Sequence, residues 1–91
     1  MFFNITYHAF LRAKERLNDK IIPNYKKLDF YEMELQLNRI ISTSNNSIDR
    51  FQAKNKTTWF KIQNFNLYII TKNNIILTIK NSTIENLIAN Y

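Results

Sequence analysis

The stretch Leu67-Tyr68-Ile69-Ile70-Thr71-Lys72-Asn73-Asn74-Ile75-Ile76-Leu77-Thr78-Ile79 decides the fold. Residues with β-branched and aromatic side chains flank an Asn-Asn pair, which is the composition of a β-hairpin. A two-residue hairpin turn needs positive φ, and in a chain with no glycine asparagine is the residue best able to supply it. A turn at Asn73-Asn74 joins strands over Asn66–Thr71 and Ile75–Lys80. It sets Ile70 opposite Leu77 and Tyr68 opposite Ile79 on one face, with Leu67, Ile69, Thr71, Ile76, Thr78 and Lys80 on the other. Thr57–Gln63 has the same two-residue period and adds a third strand. The length of the Gln63–Asn66 turn decides which face Trp59 and Lys61 share.

Upstream the period changes to that of helices. Asp29 followed by Glu32 makes a capping box, with Leu28 and Met33 in the positions of a hydrophobic staple. Phe30, Met33, Leu37, Ile40 and Ile41 then form one apolar stripe. Ser42–Ser47 reads as a polar loop, after which Ser47 caps a short helical turn through Phe51, and Gln52–Lys56 is exposed. An earlier helix is predicted from Tyr7 to Asn18, capped by Thr6 and preceded by a short strand within Phe2–Thr6. Asp19–Lys27, containing Pro23 and Asn24, connects the two helices. A second capping box, Ser82 with Glu85, starts a short C-terminal helix bearing Ile84, Leu87 and Ile88. The expected fold is α+β: two N-terminal helices packed on a three- to four-stranded antiparallel sheet, closed by the short C-terminal helix.

Composition bounds the chemistry. Ninety-one residues with 45% hydrophobic content suffice for one core, so residues 1–91 are read as a single domain. Without cysteine, and with one histidine, the chain offers no thiolate site, and neither a metal nor another cofactor is expected. No apolar run reaches membrane-span length and the first residues lack the pattern of a signal peptide, so the expected setting is soluble and intracellular, with no membrane partner. The excess of Asn, Ile, Lys and Tyr is what an AT-rich genome encodes. It points to low-GC bacteria, their phages or their plasmids, and to the cytoplasm of a bacterial host.

The net charge of +6 is unevenly placed. Arg12, Lys14, Arg16, Lys20, Lys26 and Lys27 make a first basic segment; Arg50, Lys54, Lys56 and Lys61 make a second; the second helix between them opens acidic. Such a field attracts polyanions and speeds encounter with an acidic partner, although a plainly solvated surface has the same composition. Tyr25-Lys26-Lys27, Arg50-Phe51 and Trp59-Phe60-Lys61 place rings beside cations, as single-stranded nucleic acid binding requires. Trp59 is expected to be partly exposed, because Phe60 and Ile62 compete for the inward face. The binding residues expected are Arg12, Arg16, Lys20, Lys26, Lys27, Arg50, Lys54, Lys56, Trp59 and Lys61. The apolar Leu67, Ile69 and Ile76 would suit a homodimer if their face of the sheet is uncovered.

On the first helix His8, Arg12, Glu15 and Arg16 share one face, and Ala9, Phe10, Ala13 and Leu17 lie on the other. Histidine is the side chain suited to acid-base work at neutral pH, and two arginines beside it could hold a phosphate. A local structural role for His8 fits the same placement. The segment Ile5–Leu17 carries the pattern His8-Ala9-x-x-Arg12-Ala13-x-Glu15-Arg16. In this it resembles small proteins of phages and mobile elements, and distantly the RelE-type toxin ribonuclease fold. That resemblance implies a metal-independent ribonuclease with His8, Arg12 and Arg16 as its catalytic positions. In size and composition the chain is similar to anti-CRISPR proteins, which implies a non-catalytic inhibitor or regulator. Its partner would be a protein or ribonucleoprotein effector that handles nucleic acid, such as a Cas nuclease, or that effector's RNA. The binder is the leading expectation, since no second histidine or marked carboxylate completes a catalytic set; the ribonuclease is the alternative.

Overall fold

The computed structural model describes residues 2–43, 50–52, 55–62 and 64–81, with the backbone alone for Arg50 and Phe51. Asn73 and Asn74 take φ values of 53° and 63°, and Lys72 pairs with Ile75 across them, so the two-residue turn is as the sequence predicts. Of its strands, Leu67–Lys72 lies one residue further along than expected and Ile75–Asn81 ends one residue later. The elements in chain order are β1 (Asn4–Ile5), α1 (Tyr7–Arg16), a 3-10 turn (Tyr25–Lys27), α2 (Phe30–Thr43), β2 (Arg50–Gln52), β3 (Thr58–Ile62), β4 (Leu67–Lys72) and β5 (Ile75–Asn81).

Helices and sheet form the expected α+β arrangement, with two corrections to the sheet. Among the described residues it has five strands, in the order β1-β5-β4-β3-β2. It is also mixed rather than antiparallel, because β1 runs parallel to β5, Asn4 beside Ile75 and Ile5 beside Ile76. The expected helical turn ending at Phe51 is replaced at Arg50–Gln52 by β2, an antiparallel partner of β3. The rest of that turn, and the expected C-terminal helix from Ser82, lie outside the described residues.

The register of the hairpin also departs from a regular ladder. Thr71 pairs with Ile76, but Ile70 pairs with Thr78, so Leu77 is the extra residue of a β-bulge. The bulge changes which side chains look inward. In an unbroken strand Ile76 and Ile79 point to opposite faces; here both are fully buried in the core beneath the helices, with Leu67, Ile69, Phe60 and Ile62. Each such side chain contributes about 1.5–3 kcal/mol through burial. Ile79 thus belongs with Leu67 and Ile69, not with Tyr68. Because the helices cover Leu67, Ile69 and Ile76, these residues do not form an open face for a second copy.

The cause of the bulge lies at the other end of the sequence. Thr6 follows β1, and its backbone N–H and its hydroxyl both donate to the Ile76 carbonyl; the hydroxyl also reaches the Leu77 carbonyl at 3.2 Å. The same hydroxyl oxygen accepts from the Ala9 N–H, which makes Thr6 the N-cap of α1 as predicted. Ala9 and Ala13 turn their small side chains to the core, which lets α1 lie close across β5. The helix stops at Arg16, two residues earlier than expected. The Asn18 side-chain oxygen accepts from the N–H groups of Lys20 and Ile21, a local turn that competes with helical bonding.

Helix α2 has the predicted reciprocal cap: Glu32 N–H to Asp29 Oδ1 at 2.8 Å and Asp29 N–H to Glu32 Oε1 at 3.1 Å. Met33, Leu37 and Ile41 are buried as expected, while Phe30 sits at the rim. The flank of α2 beside β1 carries two polar side chains. Glu34 Oε2 accepts from the Ile5 N–H, and Asn38 both accepts from the Phe3 N–H and donates to the Phe3 carbonyl. Asn38 thereby satisfies the donor and the acceptor that a further strand would otherwise meet.

Four of the five positive-φ residues among those described are asparagines, the substitute for glycine that the composition predicts; the fifth is Lys56, at φ 66°. A lysine in this region stores about 1–3 kcal/mol.

Two substitutions test these anchors. Asn38→Ala strands two buried backbone groups and should lower unfolding free energy by about 1–3 kcal/mol in urea melts. Thr6→Ala should lower it by about 1–2 kcal/mol, and Thr6→Ser, which keeps the hydroxyl, should recover most of that loss.

Candidate interaction surface

The residues expected to carry binding are spread over several parts of the fold. On α1, His8, Arg12 and Arg16 follow one another down one flank at four-residue intervals. His8 is exposed. Arg12 is held by Glu15 on its own helix, with Nη1 at 2.8 Å from Oε2. Arg16 Nη1 donates to the Ile79 carbonyl on β5. The two guanidinium groups are therefore drawn to different partners, and the trio does not converge on a common point. Arg16 keeps further N–H donors beyond the one given to Ile79.

Lys14 is likewise committed internally. Its ammonium donates to the carbonyls of Lys26 and Leu28, which ties the end of α1 to the start of α2. Lys26 lies over the Tyr25 ring, and Lys27 is exposed beside it. Lys20 is at the opposite end of α2, lining a cleft of about 240 Å³ with Ile21, Ile40, Thr43 and Phe65. Lys56 lines a separate recess near the hairpin tip. Lys54 lies outside the described residues, as does the side chain of Arg50. Lys61 pairs across the sheet with Tyr68 and is half-buried.

Trp59 is not partly exposed. Only 4% of its surface is accessible. It alternates with Phe60, so it points away from the helices, but its Nε1 donates to Thr57 Oγ1 at 3.0 Å and its ring meets Tyr68 edge-on at 5.8 Å. Lys80 of β5 reaches over it from across β4, at 5.7 Å. The expectation failed because it assumed that only the face under the helices is buried. Trp59, Tyr68 and Ile70 are buried on the other.

The exposed aromatic surface lies elsewhere, along the seam between the helices. Phe10 of α1 meets Phe30 of α2 with ring centroids 5.5 Å apart, and Tyr7 extends the row at 6.2 Å from Phe10. Lys14 lies over Phe10 at 5.2 Å. Tyr7 and Tyr31 are 66% and 67% exposed, and Leu11 and Leu35 stand one turn beyond them on their own helices, also exposed. The β1 hydrogen bonds fix the alignment. Phe3 lies opposite Asn38 and Ile5 opposite Glu34, so the chain runs on toward the Phe30–Tyr31 end of α2 as it enters α1. The sequence carried a signal for this surface. Tyr7-Leu11 and Tyr31-Leu35 are apolar pairs at four-residue spacing that fall outside the core stripes Ala9-Ala13 and Met33-Leu37-Ile41.

Among the described residues, no group of three or more His, Cys, Asp or Glu stands together to hold a metal ion. No helix among them is long and apolar enough to cross a membrane. Comparison with protein-family models, curated protein sequences and solved structures finds no match to this chain.

Because Trp59 is the single tryptophan, its fluorescence reads this geometry directly. Emission should be blue-shifted relative to free tryptophan and should resist quenching by iodide until the protein unfolds; ready quenching of the native protein would contradict the buried placement.

Proposed function

We propose that this chain is a small non-catalytic binding protein, an inhibitor or regulator of the kind carried by phages and mobile elements. It docks on a protein or ribonucleoprotein effector that handles nucleic acid, of which a Cas nuclease is one example. The observation that carries this reading is the seam in which Tyr7 and Phe30 stand exposed about the half-buried Phe10, on helices that also expose Leu11, Tyr31 and Leu35. Large rings held in fixed contact, with little side-chain freedom to lose, are what protein interfaces use as anchors. A patch of this kind on a small domain is otherwise a liability for solubility.

The charge supports the same reading in a secondary role. With Arg12, Lys14 and Arg16 engaged inside the molecule, the positive field of the first helix still acts at a distance, although those groups are less available for direct contact. A net charge of +6 speeds approach to an acidic or nucleic-acid-bearing partner, while the apolar seam supplies the contact that persists. The catalytic alternative has no comparable support: Arg12 is paired with Glu15 and Arg16 bonds the Ile79 carbonyl.

Capture from a bacterial host lysate, with and without nuclease treatment, tests the proposal. The wild-type chain should retain a nucleic-acid-handling effector in both cases. A Tyr7→Ala/Tyr31→Ala variant, its fold checked by circular dichroism, should bind that effector at least about 30-fold more weakly, as loss of a hot-spot ring implies. Release of the captured material by nuclease would show RNA to be the ligand and would overturn the proposal, as would unchanged affinity in the double variant.

A further inference from the structure

At the end of the sheet away from Lys20 there is a recess of about 110 Å³. Its floor is aromatic: Phe3 and Phe60 meet edge-to-face at 5.8 Å. Thr58 and Thr71 form its wall, and both hydroxyl protons are committed, Thr58 to the Gln52 side chain and Thr71 to the Thr58 carbonyl. The recess is also lined by Lys56 and Lys72 and by Asn73 and Asn74 at the hairpin tip, residues whose side chains can donate. Among the described residues no carboxylate lines the recess, and the ion pair found among them, Arg12 with Glu15, is on another element.

We infer that this recess binds a single phosphoryl oxyanion between Lys56 and Lys72. Three independent features converge on it. Lys56 and Lys72, from separate chain segments, border one small volume that no acid among the described residues lines, an arrangement that an anion relieves. The volume of about 110 Å³ leaves room for a tetrahedral oxyanion. Lys56 is also the one positive-φ residue among those described that is not an asparagine. Backbone strain held at a side chain that borders a recess is a mark of a site rather than of stability. The ammoniums supply charge-assisted bonds and the Asn73 and Asn74 amides complete the donor set, above a floor that sheds water. The site lies apart from the aromatic seam and does not depend on the reading given to that seam.

The oxyanion has two natural sources, free phosphate and a terminal phosphate of a nucleic acid, and amide NMR distinguishes them. Titration with inorganic phosphate at low ionic strength should give saturable shifts at Thr58, Lys72, Asn73 and Asn74. A parallel titration uses a short oligoribonucleotide with and without a 5′-phosphate. Tighter binding of the phosphorylated form than of inorganic phosphate assigns the site to a nucleic-acid end; equal or weaker binding assigns it to the free anion. A Lys56→Asn/Lys72→Gln variant should weaken the tighter ligand by about tenfold or more. Arg39→Gln, on the exposed side of α2, should leave binding unchanged. Lys56→Asn alone should weaken binding and raise Tm, because asparagine accepts the backbone that lysine strains. Absence of saturable shifts with every ligand, or equal affinity in the double variant and the wild type, would overturn the inference; the same spectra report whether each variant is folded.

Discussion

The hydroxyl of Thr6 is the point on which the rest of this structure turns. As an acceptor it starts α1; as a donor it holds the carbonyls of Ile76 and Leu77, where β5 carries its extra residue. One side chain therefore sets where the first helix begins, where it lies on the sheet, and how the final strand is phased. The phase matters because Ile76 and Ile79 must both reach the core, and only the irregularity at Leu77 allows two residues three apart to do so. Helix position and strand register are thus one constraint satisfied once.

This explains which parts of the fold could be read from the sequence. The Thr6 cap, the Asp29-Glu32 box and the Asn73-Asn74 turn were all legible, because each rests on bonds between residues a few positions apart. The bulge was not. Counting outward from the turn gives a regular ladder, and nothing within residues 67–81 departs from it; the group that breaks the ladder is Thr6, more than sixty residues away. β1 was anticipated as a strand, but its parallel pairing with β5 is again a long-range fact. β2 escaped because its three residues carry no alternation long enough to distinguish a strand from a helical turn.

The candidate surface shows a related pattern. Charge was easy to count and misleading to interpret, since a cation in the sequence does not show whether it faces water or a carbonyl. Arg16 and Lys14 turn out to be internal fasteners. Trp59 was misassigned, being buried on a face that an amphipathic scheme assigns to solvent, and the exposure of Tyr7 and Tyr31 was not foreseen. What each helix carries is two apolar stripes, one used by the core and one left over. Periodicity finds the first stripe readily, and the second is visible only after the first has been subtracted.

The pairing of β1 with β5 has a consequence for how the chain is made. Asn4 and Ile5 have no backbone partner in the sheet until Ile75 and Ile76 exist, and Thr6 cannot hold β5 before that strand has formed. During synthesis, then, α1 and α2 emerge with their inward faces uncovered and wait for almost the whole of the described sequence to follow. Loop closure over so many residues is a slow step for a small domain. A ribosome stalled anywhere before the hairpin would hold a chain with both helices encoded and β1 still without its partner strand.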